Sequence, residues 1–191
     1  IRDWNEKLAA LAYPTLTPAT VVSRDKQIIR EFVETNARTV LKPIDGHGGK
    51  GIIFVEPGDT GLMEIIQSIT VSGSHWVIAQ EYLGAATEGD KRILLLNGQP
   101  LGAVLRLHAE GEELNNLDQG GTALASEITD RDREICTTLK DDLCNAGVVF
   151  AGIDIIGGML MEINITSPTG LQEMCRFDDC AYHEEIVDSL N

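Results

Sequence analysis

The spacing of apolar residues along the chain predicts short helices and short strands in close succession. Ile1, Trp4, Leu8 and Leu11 recur at helical spacing, which predicts a helix from the first residue to about residue 12. Further helices are predicted over 23–36 with Ser23 as the N-cap, over 61–72, from 129 to about 147 and over roughly 180–190. Strands are predicted over 20–22, 38–43, 51–55 and 75–82, and in the late segments VVFAGIDII and LMEINI.

Two loop features divide the second half of the chain. Apolar runs on either side of Asn97-Gly98 predict a β-hairpin, because this dipeptide suits the left-handed conformation of a two-residue turn. Residues 108–124 are polar and contain several glycines, which predicts a long mobile loop of a length that is usually either functional or disordered. Residues 83–91, LGAATEGDK, are a candidate boundary between two subdomains.

The charge balance narrows the classes of partner. The formal net charge is −15, so we do not expect nonspecific binding to nucleic acid. If the protein binds an anionic ligand, its few cationic side chains should be concentrated at that site. No apolar run has the length of a membrane-spanning helix. The four cysteines lack metal-site spacing, which favours buried free thiols in a reducing cytoplasm over a metal at Cys175 and Cys180 near His183. The chain opens at Ile1 within a predicted helix, so we expect further sequence before it.

A glycine-rich segment joins two predicted strands in TVLKPIDGHGGKGIIFV, residues 39–55. Successive backbone N–H groups in such a loop form a nest for an anion, and Lys42 immediately before it offers a point charge. The segment lacks the Walker A spacing and no helix follows it, so a flap over phosphates is the functional interpretation. A glycine-rich hairpin without a ligand is the alternative. The glycines stand at Gly46, Gly48, Gly49 and Gly51.

Three oxygen-bearing side chains interrupt the late apolar strands at Asp154, Glu162 and Asn164. Glu162 and Asn164 are two residues apart and share a face of their strand. Asp154 joins that face if the connection has an odd length, such as 157–159, whereas a two-residue turn would place Met161 opposite Asp154. Carboxylate and amide oxygens suit Mg²⁺, which commonly binds substrate phosphates as well. Edge-strand carboxylates facing water are the alternative; with the glycine flap, the metal interpretation predicts a nucleoside triphosphate.

The order of these motifs resembles the ATP-grasp superfamily, and their wording resembles the prokaryotic type of glutathione synthetase. The segments IRDWNEKL, LKPIDGHGGKGI, GDKRILL, GIDIIG and EINITSPTG carry the resemblance, which runs nearly end to end. It implies an α+β ATP-grasp fold with two subdomains closing on ATP, over residues 1–83 and 84–191. The family's N-terminal substrate domain would precede residue 1, and the family is a homo-oligomer partly through that domain.

The resemblance also implies roles for particular residues in ATP binding. Lys7 and Lys42 would hold the α- and β-phosphates, and the flap glycines would cover the triphosphate. Asp90 would lie near the ribose. Residues that would line the adenine are Gln80, Glu81, Tyr82 and Leu83.

The resemblance implies further roles in metal binding and chemistry. Mg²⁺, or Mn²⁺ in its place, would be held by the trio at 154, 162 and 164. Arg92 and Arg106 would face the acyl substrate and its phosphate, and Ser167 and Thr169 would contact the peptide substrate. Without the family pattern, the arginines would be surface residues pairing with excess acid, and Ser167 part of a turn.

The implied activity is an ATP-dependent ligation of γ-glutamylcysteine and glycine through an acyl phosphate. One departure bears on it: Leu114 and Asn115 stand where the family's long loop carries arginine and glycine. A related ATP-grasp ligase with another acid and amine, or a non-catalytic nucleotide-binding module, are the alternative functions.

Overall fold

The computed structural model describes residues 4–46, 49–108 and 121–190. The chain divides into two compact units. One consists of Tyr13–Gly84, and the other of Ile1–Ala12 together with Ala85–Asn191. The division differs from the expected subdomains in the first twelve residues, which belong with the late strands. We refer to the units as the 13–84 unit and the 85–191 unit.

The 13–84 unit is an antiparallel sheet with two helices packed against it. Its strands are β1 (Thr20–Ser23), β2 (Thr39–Pro43), β3 (Ile53–Val55) and β4 (Val77–Glu81), and its helices α2 (Lys26–Thr35) and α3 (Leu62–Ile69). Within the described residues the strand order is β1-β4-β2-β3. Helix α1, Glu6–Ala9, precedes these elements and belongs to the other unit.

The core of the 13–84 unit lies between the helices and one sheet face. Ile29 and Val33 of α2 and Ile66 of α3 are fully buried against strand residues such as Leu41 and Val77. The opposite sheet face carries Thr20, Val40, Lys42 and Gln80 by strand alternation and register. This second face therefore carries the polar side chains of Thr20, Lys42 and Gln80 beside the apolar Val40.

The 85–191 unit is built on a second antiparallel sheet. Its strands are β5 (Asp90–Leu96), β6 (Gln99–Leu107), β7 (Thr122–Ala125), β8 (Phe150–Ile156) and β9 (Met159–Asn164). Among the described residues the order is β7-β6-β5-β8-β9. The remaining helices are α4 (Asp130–Asn145), α5 (Leu171–Asp178) and α6 (Tyr182–Asp188).

The two faces of this second sheet differ in character. Ile93, Ile153 and Ile163 stand side by side on one face and are fully buried. The other face carries Leu94 and Val104, which pack against Met174 of α5. The same face continues into a row of charged residues, so apolar packing at one end supports an ionic cluster at the other.

Several predicted elements are confirmed and several are corrected. The hairpin at Asn97-Gly98 forms, with φ of 50° and 71° at the two positions. Helix α4 begins after Thr129, whose capping box with Asp132 closes the first turn. Asp25, not Ser23, caps α2, because the Asp25 carboxylate accepts the free N–H groups of residues 27 and 28.

The later part of the chain differs more from the expectation. Residues 122–124 of the predicted loop pair with β6 as part of β7. Helix α5 was not predicted; it starts after Gly170 at φ 108°, without a capping side chain that the sequence could signal. Leu114 and Asn115 lie outside the described residues. No helix in the described ranges is long and apolar enough to cross a membrane.

Candidate functional site

A row of charged side chains crosses the sheet of the 85–191 unit on one face. Cross-strand pairing aligns Arg92 with Asp154, Asp154 with Glu162, and Asp90 with Arg106. Directly opposite residues of antiparallel strands point to the same side. The strands alone therefore bring together both predicted catalytic arginines, two of the predicted metal ligands and Asp90.

Four of these residues form a cluster that we call the arginine–aspartate cluster: Asp90, Arg92, Arg106 and Asp154. Arg92 donates to both carboxylate oxygens of Asp154, with Nη2 2.9 Å from Oδ2. Arg106 donates to both oxygens of Asp90, at 2.7 and 2.6 Å. Its Nη2 also lies 3.0 Å from Oδ2 of Asp154. Two fork-shaped cations thus hold two carboxylates in fixed orientation.

Burial and mutual charge shift the ionisation of the arginine–aspartate cluster. Burial would raise the pKa of Asp154, but the guanidinium groups of Arg92 and Arg106 outweigh it and hold that pKa well below its usual range. Burial raises the pKa of Asp90 to about 6, although Arg106 opposes the shift. Burial would lower the pKa of Arg106, but Asp154 and Asp90 raise it. Asp154 therefore remains a carboxylate throughout the physiological range.

A β-bulge places Glu162 beside Asp154. The connection between β8 and β9 is the two-residue turn Gly157-Gly158, with Ile156 opposite Met159. The pairing then shifts by one residue, so that Met161 has no opposite partner and Asp154 faces Glu162. The expected choice between an odd-length loop and Met161 opposite Asp154 was therefore incomplete, because the extra residue lies within the strand.

Residues 4–7 brace the end of β9. The Glu6 carboxylate accepts the backbone N–H groups of Ile165 and Thr166, each at 3.1 Å. The Trp4 indole donates to the carbonyl of Ile163 at 3.1 Å. Lys7 Nζ lies 3.8 Å from Oε1 of Glu162. These contacts explain why the first residues belong to the 85–191 unit.

The trio at 154, 162 and 164 fits a hard divalent cation. Asn164 lies on the same face, and its Nδ2 lies 3.4 Å from Oδ2 of Asp154. Among the described residues no three His, Cys, Asp or Glu side chains form a metal site, but this donor set is two carboxylates and one amide. Such oxygens suit Mg²⁺, which takes remaining ligands from phosphates and water. Asp154 would exchange a guanidinium contact for the metal.

The predicted peptide-contacting segment lies against Arg92. Ser167 and Thr169 are exposed, and the carbonyl of Thr169 accepts a hydrogen bond from Arg92 Nη1 at 3.3 Å. Gly152 of β8 allows this approach: a Cβ there would lie 2.8 Å from Cβ of Pro168 and 3.2 Å from Cδ of Arg92. The segment is thus seated on the sheet beside the arginine–aspartate cluster.

The predicted phosphate-binding lysine of the 13–84 unit is held by an amide. Lys42 Nζ donates to Oε1 of Gln80 at 2.8 Å, and Gln80 Nε2 donates to Oγ1 of Thr20 at 2.9 Å. Gln80 is buried, with 3% of its surface exposed. Its side chain therefore has a structural role that the adenine-lining assignment did not include.

The described parts of the glycine-rich segment, residue 46 and residues 49–51, form turns next to β2 and β3. Gly46 N–H donates to the Pro43 carbonyl, and Ile52 N–H donates to that of Gly49, both at 3.4 Å. Gly49 and Gly51 have φ of 74° and 75°, a conformation that favours glycine. Gly48 lies outside the described residues.

The adenine-lining stretch follows β4. Glu81 is exposed and donates its backbone N–H to Ala19, while Tyr82 donates its own to the Arg38 carbonyl. The Arg38 guanidinium lies 4.4 Å from the ring centroid of Tyr82. Leu83 is half-buried. These contacts fix the backbone path of the stretch from both sides.

The expectation of buried free thiols is confirmed in part. All four cysteines are free thiols, and Cys136 is buried, but Cys144 is exposed and Cys175 and Cys180 are only half-buried. Cys175 Sγ lies 3.9 Å from Nδ1 of His183.

Comparison with known proteins decides the family. The chain matches the family described as prokaryotic glutathione synthetase, ATP-grasp domain, over residues 6–179. The chain belongs to this family. It is 48% identical over 187 residues to the glutathione synthetase of Thermosynechococcus vestitus, covering 98% of this chain and 59% of that protein. It is 43% identical over 191 residues to that of Pseudomonas putida, covering all of this chain and 59% of the relative.

Solved structures confirm the predicted α+β ATP-grasp fold of this glutathione synthetase family member. D-cycloserine synthetase DcsG superposes with a TM-score of 0.70 at 18% identity, over 97% of this chain and 70% of that one. The D-alanine–D-alanine ligase of Bacillus anthracis complexed with ATP gives 0.61 at 16% identity, over 96% of this chain and 63% of that one. The chain spans about three fifths of the length of its curated relatives.

Three contributors to the site in this family member were missed by sequence reasoning: Glu6, Thr20 and Arg38. Glu6 lies 159 residues from Ile165 in sequence, and no periodicity links the two. Thr20 and Arg38 could have been found, since each stands on a strand or strand end beside a predicted site residue.

Proposed function

We propose that this chain supplies the nucleotide- and metal-binding part of a glutathione synthetase, which joins γ-glutamylcysteine and glycine with conversion of ATP to ADP and phosphate. The observation that carries the proposal is the single sheet face on which Asp154, Glu162, Asn164 and both arginines stand together. That face combines ligands for a cation with donors for anionic oxygens. Family membership supports the same reaction.

The proposed role of the 85–191 unit is to hold the metal and the acyl group. Mg²⁺, when bound, would neutralise charge on the triphosphate. Asp154, Glu162 and Asn164 would hold it, while Arg92 and Arg106 would orient the acyl carboxylate and stabilise charge on the transferred phosphoryl group. Ser167 and Thr169 would contact the peptide substrate. Lys7, now beside Glu162, would turn to a phosphate.

The proposed role of the 13–84 unit is to hold ATP. Lys42 would bind the α- or β-phosphate, and N–H groups of the glycine-rich segment would cover the triphosphate. The backbone from Gln80 to Leu83 would line the adenine. Free thiols support the proposed reducing cytoplasm. We also propose that the protein assembles as a homo-oligomer when the family's N-terminal domain is present.

The test of this function uses phosphate release from Mg·ATP with γ-glutamylcysteine and glycine together, and with each omitted. We expect release that needs both substrates, and ATP binding by calorimetry that strengthens with Mg²⁺. Glu162→Gln should abolish phosphate release and weaken Mn²⁺ binding measured by electron paramagnetic resonance. The control Glu134→Gln, at an exposed position of α4, should change neither. Release with a different acid and amine only would establish the related ligase, which the residues at 114 and 115 favour. Intact Mn²⁺ binding by Glu162→Gln would refute the metal assignment.

A further inference from the structure

The hydrogen bonds around Gln80 form a directed chain across three strands. Thr20 stands on β1, Gln80 on β4 and Lys42 on β2, which are neighbours in the sheet. Thr20 and Gln80 are directly opposite, and Lys42 is two residues beyond the partner of Gln80, so all three side chains share one face. The chain of bonds therefore runs along the sheet surface that lies away from α2 and α3.

The direction of the chain is set at its far end, by Pro18. The Thr20 hydroxyl donates its one hydrogen to the Pro18 carbonyl at 2.8 Å. Oγ1 of Thr20 can then only accept, so the Gln80 amide must turn its NH₂ group toward Thr20. The carbonyl Oε1 is thereby left facing the Lys42 ammonium. The Thr20 hydroxyl cannot reverse this bond, because Pro18 offers it a carbonyl acceptor and has no backbone N–H to donate.

Burial makes this orientation costly to reverse. Gln80 has 3% of its surface exposed, so its amide cannot exchange these partners for water. A flipped amide would point its NH₂ group at an ammonium and its oxygen at a hydroxyl whose hydrogen is already used. Each buried polar atom left without a partner carries a desolvation penalty.

We infer that Thr20 and Gln80 are positioning residues that aim the Lys42 ammonium for phosphate binding, a relay that we call the Thr20–Gln80 relay. The inference rests on the proposed function, in which Lys42 contacts a phosphate of ATP. The Gln80 amide holds the ammonium by a hydrogen bond and adds no negative charge of its own, unlike a carboxylate. The relay thus fixes where the Lys42 ammonium lies.

The relay is tested by removing the acceptor that is furthest from Lys42. Thr20→Val keeps the shape and strand preference of the side chain but removes the acceptor of the Gln80 NH₂ group, so the amide loses its anchor on the side away from Lys42. We expect ATP affinity, measured by competition with a fluorescent nucleotide, to fall about 3- to 10-fold, the worth of one hydrogen bond. Adenosine affinity should stay within about twofold, because adenosine has no phosphate for Lys42 to bind.

Controls separate the relay from a general loss of structure. Thr20→Ser retains the hydroxyl and should restore ATP affinity, and Thr35→Val, which removes an exposed hydroxyl of α2, should leave it unchanged. As a second variant, Gln80→Glu should pair its charge with Lys42 and also lower ATP affinity. Melting curves confirm that each variant is folded.

Lys42→Met distinguishes failure of the relay from failure of the proposed phosphate-binding role of Lys42. If Lys42→Met lowers ATP affinity and Thr20→Val does not, the relay is refuted while the proposed role of Lys42 stands. If Lys42→Met leaves ATP affinity unchanged, the phosphate-binding role itself is refuted and the relay with it. Equal loss of ATP and adenosine affinity in Thr20→Val would also overturn the relay, since it would indicate only structural damage.

Discussion

The two units hold their cations in opposite ways. In the 85–191 unit, Arg92 and Arg106 are held by the carboxylates of Asp154 and Asp90, with four fork-like donor contacts and a further contact from Arg106 to Asp154. In the 13–84 unit, Lys42 is held by the amide of Gln80. The first arrangement orients cations by carboxylates, which balance their charge, whereas the second orients a cation by a neutral amide.

This difference indicates a division of labour in binding an anionic nucleotide. The arginine–aspartate cluster has two positive and two negative groups, so it attracts an anion only when a cation joins it or when a carboxylate exchanges its partner. The Thr20–Gln80 relay holds its lysine by a neutral amide, which adds no negative charge. We therefore expect metal-independent nucleotide affinity to depend on the 13–84 unit, and metal-dependent affinity on the other.

The largest expected effect comes from unbalancing the arginine–aspartate cluster. Asp154→Asn leaves two buried arginines with Asp90 as the one remaining acid of the cluster, which should cost about 3–5 kcal/mol of unfolding free energy. Urea denaturation followed by Trp4 fluorescence in a Trp76→Phe background reports on the 85–191 unit. Asp141→Asn, at an exposed position of α4, is the matched control. A loss no larger than that of the control would show that the cluster contributes little to stability.

The next effect concerns the seat of the peptide-contacting segment. Gly152→Ala places a methyl group 2.8 Å from Cβ of Pro168, which should displace the segment and cost about 1–3 kcal/mol by overpacking. The same denaturation assay measures the loss. Thr138→Ala, at an exposed position of α4 in the same unit, is the control. Equal stability of the two variants would contradict the close approach.

A smaller effect is expected from the relay of the 13–84 unit. Gln80→Leu removes two hydrogen bonds of a neutral amide, and we expect a loss of about 1–2 kcal/mol, well below that of Asp154→Asn. Trp76 fluorescence in a Trp4→Phe background reports on this unit. Gln67→Leu, at an exposed position of α3, serves as the control. A loss of unfolding free energy as large as that of Asp154→Asn would contradict the difference between cations held by carboxylates and a cation held by an amide.

The last effect is a pH dependence, similar in size to the effect of Gln80→Leu. Burial raises the pKa of Asp90 from 3.8 to about 6, so the native state retains a proton that the unfolded chain releases. The stabilisation from that proton is fully present below pH 3.8 and is lost as the pH rises through about 6. The stability of the native chain should therefore fall relative to Asp90→Asn between pH 4.5 and 6.5, measured by urea denaturation. A constant difference across this window would mean that Arg106 fully offsets burial.

Local chemistry was predictable from the sequence, and long-range pairing was not. The Asn97-Gly98 turn and the Thr129 cap depend on adjacent residues whose conformational preferences are strong, so both are confirmed. The contact from Glu6 to residues 165 and 166 depends on the folded path of the whole chain, and no local preference encodes it.

The site follows the same rule. The alternation of Glu162 and Asn164 along a strand places both on one face, as predicted. The position of Asp154 opposite Glu162 required knowledge of where a strand carries an extra residue, which composition does not disclose. The side-chain role of Gln80 was hidden because an amide at a strand end reads equally well as a surface residue or as a nucleotide contact.

The bulge at Met161 gives this region an unequal tolerance to inserted and deleted codons. Removing Met161 would leave a regular ladder in which Ile155 still faces Leu160 and Asp154 still faces Glu162. Adding one residue between Met161 and Glu162 would need a wider bulge, and losing one glycine of the turn would shorten the connection to a single residue. Among single-codon length changes in this hairpin, loss of codon 161 is the one that preserves the alignment of the acidic pair.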